Sequence, residues 1–96
     1  MAAHDEEDFM AELKQEFKAA VKKNMLEFQS LYKEENYADI ARIAHDIKGN
    51  AALFALNKGS EIAAELQLSA QNKEAEKVKS LIEALTAYMK EAGISD

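Results

Sequence analysis

Ile40-Ala41-Arg42-Ile43-Ala44-His45-Asp46-Ile47-Lys48-Gly49-Asn50-Ala51-Ala52-Leu53-Phe54 is the stretch from which the rest of the chain can be understood. With His45 set at zero on a helical wheel, Ile43, Ile47, Ile40 and Phe54 fall at roughly 160°, 200°, 220° and 180°. The apolar stripe is thus centred opposite His45, so a helix here buries its isoleucines and turns the imidazole to water. Ala41 and Gly49 stand one turn either side of His45, Arg42 and Lys48 flank it, and Ala52 follows two turns on, a patch of small side chains around an exposed ring. Glycine inside a helix costs about 0.5 to 1 kcal/mol relative to alanine. Close approach of another molecule beside His45 is a reason that suits its place on the wheel.

Outward from this helix, expected over about residues 37–54, the pattern stays helical. Asn36 is a suitable N-cap, with Asp39 three positions on. A preceding helix over about 5–34 opens with carboxylates that suit the positive end of a helix dipole. Its stripe is Phe9, Leu13, Phe17, Ala20, Val21, Met25, Phe28, Leu31 and Tyr32, with room for a break near Leu13 into a short leading helix and a longer one. A third helix over 58–71, capped by Asn57 or Ser60, presents Ile62, Ala63, Leu66 and Ala70. A fourth over 73–92 presents Ala75, Val78, Leu81, Ile82, Leu85 and Met89 and meets Gly93, which suits a left-handed C-terminal cap. Short links between long helices make neighbours antiparallel, so the expected fold is all-α, an up-down-up-down four-helix bundle in one domain spanning 1–96.

Composition agrees. The chain has 96 residues, no proline and no cysteine, and its three glycines are scattered. That length suits one domain with one modest core. The glycines form no phosphate-binding loop, so autonomous phosphorylation from ATP is not expected. Without cysteine there is no disulfide, zinc finger or thiol nucleophile, and two histidines alone make a poor metal or haem site. A net charge of -6 disfavours nucleic acid, which is bound through a surplus of lysine and arginine. The acidic start, Met1 to Asp8, lacks the basic and apolar regions of a secretory leader, and the apolar run Ala51 to Leu56 is too short to span a bilayer, so a cytoplasmic protein without membrane contact is expected. Asp5 to Asp8 lack calcium-site spacing and read as a solvated first turn, and His4 as terminal. No serine stands in a nucleophile motif and no carboxylate pair is placed for acid–base work, so a hydrolase is a poor reading.

Ala44-His45-Asp46-Ile47-Lys48-Gly49-Asn50-Ala51-Ala52 resembles the His-x-Leu/Ile-Lys-Gly motif of histidine phosphotransfer domains, over a region from about Phe9 to Ala92. The resemblance implies a phosphocarrier rather than an enzyme, with His45 accepting a phosphoryl group through Nε2. Lys48 would offer a cation to the phosphoryl oxygens and Gly49 would leave clearance beside the ring. Ala41, Arg42 and Ala52 would meet the partner. It further implies receiver domains of response regulators and of a hybrid sensor kinase as partners, with Mg²⁺ in the receiver's acidic site and no cofactor held by this chain. A monomer is the expected state. An imidazole in water titrates near pH 6.5 and is largely neutral at pH 7, as nucleophilic attack requires. Two positions depart from the family: Ala55 stands where glycine is frequent, and Gly59 where leucine is, with Leu56 expected to fill the vacated space.

Two other functions fit the same residues. A non-phosphorylated acidic helical adaptor docking through the face around His45 would keep its output after His45→Gln. The phosphoacceptor domain of a chemotaxis-type histidine kinase would instead take its phosphoryl group from an ATP-binding kinase domain supplied in trans.

Overall fold

The computed structural model describes the backbone of residues 2–95 and the side chains of residues 8–95. The expectations for His4 and for Asp5 to Glu7 fall outside the described side chains. Four helices follow in order: α1 (Ala2–Lys33), α2 (Tyr37–Leu53), α3 (Asn57–Gln71) and α4 (Ala75–Glu91). Each packs on its two neighbours around the ring α1–α2–α3–α4. Three-residue links reverse the chain between them, giving the up-down-up-down bundle.

One device terminates every helix. The N–H groups of Asn36, Leu56, Glu74 and Ile94 reach back to the carbonyls of Leu31, Ala51, Ser69 and Met89, while those of Glu35, Ala55, Lys73 and Gly93 bond Tyr32, Ala52, Ala70 and Lys90. This is the Schellman pattern, which places its C′ residue in the left-handed region. Gly93 (φ 73) does so as the sequence led one to expect, but Glu35, Ala55 and Lys73 adopt φ of 56, 60 and 56 without being glycine. The next residue in each of the first three turns is also the N-cap of the following helix. Asn36 performs that role with its side chain, accepting from the Asp39 N–H at 3.2 Å and donating to the Asp39 carboxylate at 2.8 Å. The expected caps of α3 are corrected. Its N-cap is Leu56, with no side-chain bond, and the Ser60 hydroxyl instead donates to the Lys48 carbonyl at 3.0 Å, tying α3 to the middle of α2.

The core holds Phe17, Val21, Met25 and Phe28 of α1, Ile40, Ile43 and Ile47 of α2, Ala63, Leu66 and Ala70 of α3, and Val78, Ile82, Leu85 and Met89 of α4. Ile62, Leu81, Leu31, Tyr32 and Phe54 pack against its margin. Four expected core positions are not in it. Ala20 and Ala75 are exposed, Leu13 is half-buried outside the core, and Phe9 is 60% exposed; Phe9 and Leu13 lie on the part of α1 that overhangs its shorter partners. At 1.5 Å per residue, 32 residues span about 48 Å against about 26 Å for α2. The unbroken helix therefore projects its N-terminal half beyond the bundle, and no break occurs at Leu13. Phe17 marks the point where α1 meets the bundle end, stacking on Phe54 with ring centroids 5.3 Å apart.

Small residues are buried on both helices, Ala41, Ala44 and Ala51 on α2 and Gly59 and Ala63 on α3, and these two helices form the most extensive interface of the bundle. The space over Gly59 is taken by Tyr88, not by Leu56: a Cβ at position 59 would stand 2.7 Å from Tyr88 Cε2 and 3.4 Å from the Met89 methyl carbon.

Candidate functional site

His45 lies near the middle of α2 and is exposed, on the side away from buried Ile40, Ile43 and Ile47. The isoleucine stripe fixes this orientation, since turning the ring inward would turn three large apolar side chains into water. On its α3 side, His45 Nδ1 lies 3.4 Å from Gln67 Oε1. An amide oxygen only accepts, so a hydrogen bond here requires the proton on Nδ1, the tautomer that leaves a lone pair on Nε2, the nitrogen farther from the backbone. On its α1 side the ring borders an open depression of about 430 Å³, lined among others by Ala20 and Asn24 of α1 and Asp46, Gly49 and Asn50 of α2.

The residues singled out in the sequence are only partly brought together. Gly49 is exposed, and a Cβ there would meet nothing within 4 Å, so this flank of the ring is open. Lys48, one turn from His45, is half-buried toward α3, and its backbone carbonyl holds Ser60. Ala52 is exposed two turns on. Arg42 is exposed, its Nε 3.7 Å from Asp39 Oδ1, a contact too solvated to hold it firmly. Ala41 is the exception. It is 7% exposed and packed in the interior, so it does not belong to the open face on which the wheel had placed it. A single-helix wheel cannot register the close approach of α3 that covers it.

Gln67 is the residue that sequence reading missed. The α3 pattern alone does not mark it, because what distinguishes Gln67 is a partner on another helix. Among the described residues, no group of three or more histidine and acidic side chains is placed to hold a metal ion. No described helix is long and apolar enough to cross a membrane.

Set beside known protein families, the chain matches the model described as Hpt domain over residues 12–93. It belongs to the Hpt domain family, and with that to the histidine phosphotransfer modules of two-component signalling. Such a domain is a phosphocarrier that works in phosphorelays and interacts with receiver domains. Comparison with curated proteins and with solved structures returned no match.

Proposed function

We infer that the chain is a phosphorelay intermediate that accepts a phosphoryl group on His45 from the aspartyl phosphate of one receiver domain and passes it to the aspartate of another. The Nε2 lone pair attacks phosphorus, the P–N bond forms as the acyl P–O bond breaks, and the receiver's carboxylate departs. The proton stays on Nδ1, where the Gln67 oxygen offsets the positive charge that the ring acquires. Transfer onward is the same step reversed.

Phosphoryl transfer depends chiefly on alignment and charge neutralisation, so a bundle needs to supply little beyond the nucleophile. Lys48 provides a cation to the phosphoryl oxygens once it extends. Gly49 leaves room for the receiver's loops, and Arg42 and Ala52 touch them. Mg²⁺ resides in the receiver's acidic site, and the reaction takes place in the cytoplasm where receivers act.

The observation that carries this reading is an exposed imidazole whose Nδ1 faces an acceptor and whose other nitrogen is free. Incubation with a phosphorylated receiver tests it. Label should move to the chain, be acid-labile and base-stable as a phosphoramidate is, and be absent in His45→Gln. Label that persists in that variant, or no transfer from any cognate receiver, would remove the proposal.

A further inference from the structure

On the far side of α1 from His45, three shallow depressions follow one another along the seam between α1, α4 and the segment after α4. The residues lining the His45 depression on α1 (Phe17, Ala20, Asn24) and those lining the seam (Lys18, Lys22, Leu26, Gln29) lie about 160° apart around the helix. The seam has an apolar floor. Phe28 is fully buried, Met25 and Ile82 nearly so, and the central depression measures about 310 Å³, with Leu26, 71% exposed, as one wall.

Its rim is cationic in a chain whose net charge is -6. Among the described residues, Lys18, Lys79 and Lys90 line the three depressions along with Lys22, and Glu83 is the carboxylate that joins them. Lysines flanking a recessed apolar strip complement a ligand with an apolar stripe between acidic flanks. At 1.5 Å per residue the 17 residues of α4 give the seam a length of about 26 Å, enough for some five turns of helix. The charge of the whole molecule selects among anionic occupants. A polyanionic nucleic acid or an anionic bilayer would meet the net negative field of the chain, whereas a short acidic helix meets chiefly the lysines beside it. The recessed floor also suits an inserted helix better than a flat lipid surface.

We propose that the α1/α4 seam is a docking groove for an acidic amphipathic helix of a partner protein, occupied independently of His45. A partner held there stays bound while a receiver domain addresses the opposite side of α1, which brings a third protein to the relay without competing for the phosphoryl site.

The test titrates the isotope-labelled full chain with a synthetic helix of 17 residues, the length of α4, bearing leucines at helical spacing between glutamate flanks. Saturable binding is expected, with amide shifts along α1 from Lys18 to Gln29 and along α4 near Thr86 and Lys90, and none around His45. Lys18→Glu with Lys90→Glu should weaken binding about tenfold or more, and Leu26→Glu likewise, since both act on rim and wall. Lys18→Ala with Lys90→Ala serves as the milder pair should charge reversal disturb folding, which thermal melting reports. Phosphorylation of His45 by a receiver should be unchanged in all of these, and His45→Gln should bind the helix as the parent does, so this inference and the phosphorelay reading fail separately. No saturable binding, shifts confined to the His45 side, or affinity indifferent to the lysine and leucine variants would overturn the proposal. So would binding of anionic vesicles in place of the helix, or self-association of the chain through the same residues.

Discussion

Gln67, on α3, holds its side-chain oxygen 3.4 Å from Nδ1 of His45, on α2, and the two are 22 positions apart in sequence. Removing that acceptor takes away the preference for the tautomer with its lone pair on Nε2. Gln67→Ala should therefore leave the fold intact and slow phosphoryl transfer by roughly tenfold, in the range seen when a residue that orients a reactive imidazole is lost. Rapid-quench transfer kinetics together with nitrogen NMR of the ring check this. An unchanged rate with an unchanged tautomer ratio would separate Gln67 from the chemistry.

His45 and Ile47 are two residues apart but face opposite ways. His45→Gln should change stability by no more than about 0.5 kcal/mol, as at most exposed positions, while abolishing phosphorylation. Ile47 is 1% exposed, and Ile47→Ala should cost about 2 to 5 kcal/mol through the cavity it leaves. Urea unfolding distinguishes the two, and similar costs would mean that α2 is rotated from the orientation described.

Gly49 separates stability from function. With nothing within 4 Å of a Cβ there, Gly49→Ala should stabilise the bundle by about 0.5 to 1 kcal/mol by restricting the unfolded chain and raising helix propensity. A larger side chain, as in Gly49→Leu, should leave the fold stable and raise the KM for a phosphorylated receiver. Normal transfer by the leucine variant would show that the receiver does not approach on this side.

At Gly59 the sign reverses. Gly59→Ala places a methyl 2.7 Å from the Tyr88 ring, and the overpacking should cost about 1 to 3 kcal/mol. In a Tyr88→Ala background the same substitution should be nearly free or favourable, so a double-mutant cycle should show strong coupling. Additive costs would mean that the ring yields easily.

Ala55→Gly should stabilise the chain, by up to about 1 kcal/mol, because Ala55 occupies φ 60, where a Cβ is strained by about 1 to 2 kcal/mol, partly offset by the extra backbone entropy of glycine. Denaturant midpoints for Ala55→Gly and for a control at exposed Ala52 would decide it.

The wheel built on α2 was enough to orient His45, because an apolar stripe of three isoleucines leaves one orientation that keeps them dry. Asn36 and Gly93 were readable for the same local reason: an amide that caps and a glycine that enters the left-handed region act within a few residues of themselves. The turns at Glu35, Ala55 and Lys73 were not readable as left-handed, since the helices they join impose that conformation against the residue's own preference. Nor were the burial of Ala41, the ring over Gly59 and the hand-off from Gln67 to His45. Each is a contact between helices, and periodicity within one helix carries no information on what its neighbour places opposite. The overhang of α1 escaped for a related reason, because its stripe continues past the point where the other helices stop.

The open flank at Gly49 has a consequence for the durability of the signal. On the proposed reading, a phosphoryl group carried on Nε2 there would have no roof of protein to keep acid and water away. Between encounters its persistence would be set by the surrounding medium, and the chain would act as a short-term courier whose memory is kept by whichever partner seals the group from water.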